Sequence, residues 1–273
     1  MSRFSLVPLF VTILAPLLAF DDEAEAYQRF KMAENLPLPG KFTFVRIRYD
    51  SVGGYGESWY SFAGRDWERW ETDYPEADEN FVFRMAELTT INPNPRAIVR
   101  RLTSEDLFTF PFIYMCDVGW MHLRAEEKER LREYLLRGGF LWVDDFWGYL
   151  EWQNLEDIMA EVLPEIKWRE IPRDHAIFNM VFPLDGPPQI PARIFAIQGM
   201  KTEPEYIHKS GGLEDVHCRG WFDKDGRLLA VATHNTDIGD GFEREGEGEW
   251  YFKNYSTKAY AMGVNIVVYA LTH

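Results

Sequence analysis

RAEEKERLREYLLRGGFLWVDD, residues 124–145, decides the fold. Leu131, Tyr134 and Leu135 share one face at helical spacing, and Glu126 and Arg130 stand as an i,i+4 pair, so the spacing predicts a helix from Arg124 to Arg137. It stops at Gly138-Gly139, because glycine takes the left-handed C-cap geometry without steric cost. FLWV, 140–143, is then a continuous apolar run of the kind buried on both faces, and it ends in Asp144 and Asp145. A helix feeding straight into a doubly buried strand is a unit of a parallel sheet covered by helices.

The same alternation runs outward in both directions. Upstream, FTFVRIRY (42–49) predicts a first strand, with Thr43, Val45, Ile47 and Tyr49 on one face and Phe42, Phe44, Arg46 and Arg48 on the other. A Gly- and Trp-rich loop from Ser51 to Pro75 follows, then a helix over 78–90 opened by acids. A short strand near Ala97–Leu102 and a stronger one in FPFIYMCD (110–117) come next. Downstream, Leu155–Leu163 reads as helix, KWREI (167–171) as strand and RIFAIQG (193–199) as another strand. VHCRGWF and RLLAVAT, joined by DKDG, form a hairpin pattern. A closing helix from about Ser256 carries Val264, Val267, Val268 and Leu271 on one face.

The N-terminus reads as a targeting segment. Arg3 precedes Phe4–Phe20, a 17-residue run without a charged side chain, and an acidic stretch follows. Residues 1–26 are assigned as a signal peptide, with Ala24 and Ala26 as one cleavage pair and Ala19 as another; 27–40 are a linker and 41–273 one α/β domain. The alternative is an uncleaved N-terminal membrane anchor, for which 17 residues with Pro8 and Pro16 are short. Both place the domain outside the cytoplasm, periplasmic or secreted. Without residues 1–26 the chain holds 28 Lys and Arg against 40 Asp and Glu, a net of −12. Such a surface repels phosphate backbones and argues against a nucleic-acid partner. Only Cys116 and Cys218 are present, either as a pair or as two buried thiols.

In an open α/β sheet the ligand crevice lies outside the carboxyl ends of the strands. The polar residues at those ends are Arg48, Asp117, Asp144 and Asp145, with His175 and Asp237 in loops after apolar segments. Adjacent strand residues face opposite ways, so one of Asp144 and Asp145 is expected in the crevice while the other caps a turn. Arg48 either holds an anionic ligand or pairs with an acid. His175 has the ionisation range for acid–base work, or is structural. Cys116 lies where a nucleophile elbow would sit, but Tyr114 and Val118 flank it where small residues are required. Gly53-Gly54-Tyr55-Gly56 is followed by no phosphate-binding signature, and no cofactor is expected. No His or Cys pair falls at metal-ligand spacing. Trp59, Trp67, Trp70, Trp120 and Trp147 serve either as a stacking surface or as core.

FTFVRIRYD, PFIYMCDVGW, LREYLLRGGFLWVDDFWG, DHAIFN and AYAMGVNIVVYALT together resemble the bacterial family known as domain of unknown function 4159, from about Lys41 to the C-terminus. GGFLWVDD and MGVNIVVYAL are the more specific segments. That family looks like the class I glutamine amidotransferase-like superfamily and is similar to trehalose-utilisation-type domains. The resemblance implies a flavodoxin-like open, mostly parallel sheet with helices on both faces, to which the C-terminal hairpin and helix are added. It implies no activity, because the amidotransferase Gly-x-Cys-x-Gly elbow is missing. The leading functional expectation is a non-catalytic module binding a small polar ligand, such as a carbohydrate or cell-wall fragment, near Asp145, His175 and Asp237. The alternatives are a hydrolase using His175 and Asp145 as acid and base, and an envelope scaffold whose aromatic loop meets a protein partner.

Overall fold

A computed structural model describes residues 37–51, 61, 62, 65, 66, 68–208 and 210–273. The signal segment, most of the linker, the Gly53–Gly56 turn, Trp59 and Trp67 lie outside the described residues. Seven strands form one sheet: β1 (Val45–Ile47), β2 (Ile98–Arg100), β3 (Phe112–Cys116), β4 (Phe140–Asp144), β5 (Trp168–Glu170), β6 (His217–Phe222) and β7 (Leu228–His234). Their spatial order is β2-β1-β3-β4-β7-β6-β5. The first five run parallel, while β6 is antiparallel to both β7 and β5. Register sets Cys116 beside Asp144 and Val143 beside Ala232, so the ends of β3, β4 and β7 finish at one level.

Each strand supplies two cores because its side chains alternate. Val45, Ile47, Ile113, Met115, Leu141 and Val143 pack under α2 (Ala125–Leu136) and α3 (Gly148–Val162). Phe44, Phe112, Tyr114, Phe140 and Trp142 face the other way, under α1 (Glu76–Leu88), α4 (Ile238–Glu243) and α5 (Thr257–Thr272). The molecule is therefore an α/β structure with helices on both faces of a mostly parallel sheet. Trp142 is fully buried and its Nε1 donates to Thr233 Oγ1 at 2.9 Å. Truncating such a side chain to Ala costs on the order of 3–5 kcal/mol.

The α2 turn ends as its glycines require: Gly138 has φ 109°, and a Cβ on Gly139 would come within 2.3 Å of the Tyr134 ring. Two elements differ from their sequence readings. RIFAIQG forms no strand; Arg193–Ala196 is a single helical turn, held at its start by the Arg193 N–H donating to Asp240 Oδ2 at 2.7 Å. Ile194 and Ile197 are left exposed, so the run never buries the apolar stripe that suggested a strand. Short apolar runs do not distinguish the two periods. Likewise α3 begins at Gly148, well before Leu155, because Glu151 and Trp152 in its first turns are themselves buried. Cys116 and Cys218 are free and buried. They sit on β3 and β6, three strand spacings or roughly 14 Å apart, too far for a disulfide. Among the described residues no helix is long and apolar enough to cross a membrane.

Candidate functional site

Three neighbouring strands end in the same way. Asp117, Asp145 and Asn235, each the first residue past β3, β4 and β7, have φ of 54°, 54° and 59°. Left-handed backbone is tolerated by Asp and Asn because their short side chains bond locally. The left-handed turn at Asp145 ends the strand at Asp144, so the alternation of faces does not carry through the pair. The carboxylate of Asp144 accepts from Thr233 Oγ1 (2.5 Å) and the Gly239 N–H (3.0 Å), with the Tyr114 hydroxyl at 3.4 Å. That of Asp145 lies 3.8 Å from Cys116 Sγ and accepts from Trp147 Nε1 at 3.2 Å. Both therefore meet side chains of β3's Tyr114–Cys116 face.

Three segments bring further acids to Asp145. One oxygen each from Asp145, Glu203 and Asp237 lie within 4.8 Å of one another, and all three residues are buried. Asp73, in the loop before α1, approaches Asp145 and Cys116 within the same limit. Its φ is 60°, and its Oδ2 is sealed from solvent without a hydrogen-bond partner. That oxygen occupies the space over Gly239, where a Cβ would come within 2.7 Å of it. Burial, reinforced by the neighbouring acids, holds Asp73, Asp145 and Asp237 well above the ordinary carboxylate range. Burial also pushes Asp144 up to about 7, against the hydrogen bonds it accepts. The Cys116 thiol is raised by burial and by Asp145, which keeps it protonated and removes it as a nucleophile.

One edge of this cluster is neutralised. His208 bridges Glu151 Oε1 (2.7 Å, Nδ1) and Glu203 Oε2 (3.0 Å, Nε2). Burial alone would lower its pKa, but the two carboxylates lift it to about 9, so it is an imidazolium at neutral pH. Glu151 Oε2 also accepts the Trp147 N–H at 2.7 Å, and its chain fills the space where a Cβ on Gly119 would stand. Asp117 is closed by Arg69 (2.8 Å) and Thr72 (3.1 Å). Asp73, Asp145 and Asp237 have no ion-pair partner among the described residues.

Of the residues expected from the sequence, Asp145 and Asp237 converge, and Asp144 and Asp117 adjoin them as already bonded groups. Arg48 is at the same rim but turned to Glu68 at 3.0 Å and to the Trp70 ring. His175 does not join them. It packs on Phe222 and on Tyr269, which itself packs on Phe140, the first residue of β4. These contacts place it at the opposite, N-terminal rim, where it caps a short turn by accepting the Ile177 N–H. The sequence reading missed Asp73, Glu203, His208 and Glu151. Trp70 and Trp147, two of the tryptophans considered for stacking, are buried. A shallow groove of about 450 Å³ lies between Pro37–Thr43, Thr109–Pro111 and Leu271, also at the N-terminal rim, and its lining holds no carboxylate side chain.

Fold and site together define an open α/β domain whose carboxyl-end rim is lined by buried acids beside the buried Cys116 thiol. The chain belongs to the family described as a domain of unknown function (DUF4159), whose model matches residues 43–271. No curated protein matches it significantly.

Proposed function

We propose that this chain is an exported, non-catalytic binding domain of amidotransferase-like type, which holds a small, donor-rich polar ligand at the carboxyl-end rim of its sheet. The five parallel strands follow the order 2-1-3-4-5 in their own chain sequence, which supports a flavodoxin-like descent. The observation that carries the binding role is the convergence of Asp73, Asp145, Asp237 and Glu203, with the Asp73 oxygen buried and unbonded. Buried acceptors without donors are costly, and ligand hydroxyls or amines would satisfy them. An anionic ligand is disfavoured there. The hydrolase reading loses its base, because His175 is at the other rim, and Cys116 is a neutral buried thiol. Export rests on the Phe4–Phe20 run.

Thermal unfolding against a panel of sugars, polyols and amino sugars tests this reading. At least one compound should raise the Tm of the wild type and fail to raise that of Asp145→Asn. A flat panel, or an identical shift in the variant, would overturn it.

A further inference from the structure

We infer that Asp145, Glu203 and Asp237 hold a hard divalent cation of the Ca2+ or Mg2+ class, with the Asp73 carboxylate adjoining Asp145 beside it. The inference deepens the binding role proposed above and rests on the same rim. Its geometric basis is the mutual separation of the three oxygens, no more than 4.8 Å. Two oxygens bound at about 2.4 Å to one ion can be no farther apart than roughly 4.8 Å. The three residues come from the β4 end, the loop before α4 and the Pro204 segment, so no two are neighbours in the chain.

A second, independent observation is Asp73. Its carboxyl lies between Asp145 on one side and Asp240 and Glu243 on the other, an oxygen within 4.8 Å of each, accepts no hydrogen bond among the described residues, and has Oδ2 shut off from solvent. Glu203 and Asp237 are more than nine-tenths buried, and each uses one oxygen in a hydrogen bond, to His208 and to the Asp240 N–H respectively. Their second oxygens have no partner among the described residues. Of the nearest cations only His208 meets the group, through Glu203, and it is shared with Glu151; Arg69 pairs with Asp117, and Arg244 with Asp240, Glu243 and Glu247. Asp145 and Asp237, buried without a counter-charge among the described residues, either stay protonated or take a cation from solution. An all-oxygen, all-carboxylate donor set selects hard ions over soft ones. It leaves the remaining coordination positions for water or for the hydroxyl oxygens of the ligand, so the ion would couple the acidic rim to a neutral polyol.

The test uses the whole exported chain freed of metal with a chelator. Calorimetric titration and thermal unfolding are run with CaCl2 and MgCl2, with NaCl at matched ionic strength as the screening control. One equivalent of Ca2+ or Mg2+ should bind and raise the Tm, and chelator should reverse it. Asp237→Asn and Glu203→Gln should each weaken binding by at least about 100-fold, since even outer-shell partners are worth 10- to 100-fold. Asp237→Asn relieves buried repulsion, so it should fold with a metal-free Tm at or above the wild-type value; Glu203→Gln keeps a hydrogen bond to His208 but gives up the ion pair, so its metal-free Tm should fall and its ion response is read against its own metal-free baseline. Absence of a response to either ion beyond NaCl, or an undiminished response in the two variants, overturns the inference. Polyol shifts that persist unchanged in chelator would remove the ion while leaving the ligand role intact. Ion binding with a flat polyol panel would keep the ion and remove the ligand role.

Discussion

His208 offers the sharpest prediction, because its charge state is set by two named contacts. Glu151 and Glu203 grip both ring nitrogens and lift the imidazole to about 9, overcoming the burial that would lower it. An unfolded histidine titrates near 6.5. The stabilisation from this lift is therefore fully present below 6.5 and disappears as pH rises through about 9. At 1.36 kcal/mol per unit the whole effect is about 3 kcal/mol, of which roughly 2.5 is still present at pH 7. His208→Gln keeps a hydrogen-bonding group of similar reach but cannot carry the charge. Urea unfolding of both proteins by linear extrapolation, repeated from pH 7 to 9.5, gives the gap directly. The gap should narrow by about 2 kcal/mol over that interval. A gap that is independent of pH, or one that widens as pH rises, would refute the ion-bridged arrangement.

Other outcomes follow from the same contacts. Asp73, Asp144, Asp145 and Asp237 all have raised folded-state pKa values, so metal-free protein should lose stability as pH rises from about 4 to 8. Asp144 contributes between its ordinary value and about 7, and Asp145→Asn should flatten the slope and raise the Tm measured at pH 8. Gly119→Ala would place a methyl group 2.4 Å from Glu151 Cγ, and should cost about 1–3 kcal/mol in the same urea assay. Arg46 is completely buried, with Asp78 on its Nε and Nη2 and the carbonyls of Trp70 and Thr72 on Nη1. Asp78→Ala should therefore cost about 3–5 kcal/mol, while Arg46→Met combined with Asp78→Ala should cost less than Asp78→Ala alone.

The sheet was legible because its strands are continuous apolar runs whose two faces both need covering. The Gly138-Gly139 stop marks the α2–β4 junction as plainly in sequence as in structure. RIFAIQG misled because seven residues with three large apolar side chains fit either period, and only the packing around Asp240 decides for a helical turn. Asp145 and Asp237 were readable as acids just past apolar strands. Glu203 and Asp73 were not, since they sit in irregular segments whose placement is fixed by tertiary contacts rather than by local pattern. His175 was drawn in by its residue type alone. After β5 the chain turns back at Ile171, whose N–H bonds Cys218 O, and carries the imidazole to Phe222 at the far rim. His208 carried a faint signal in its spacing of five residues from Glu203, too weak to separate from chance.

The central claim is that Asp145 and Asp237 share one buried, electrostatically coupled space. Carboxyl-13C NMR titration of the metal-free protein reads it most directly. Both carboxyls should keep their protons well above pH 4, and Asp237→Asn should move the Asp145 midpoint downward, because a neighbouring charge has been removed. Midpoints at the ordinary aspartate value of about 3.9, or an Asp145 curve indifferent to Asp237→Asn, would contradict it.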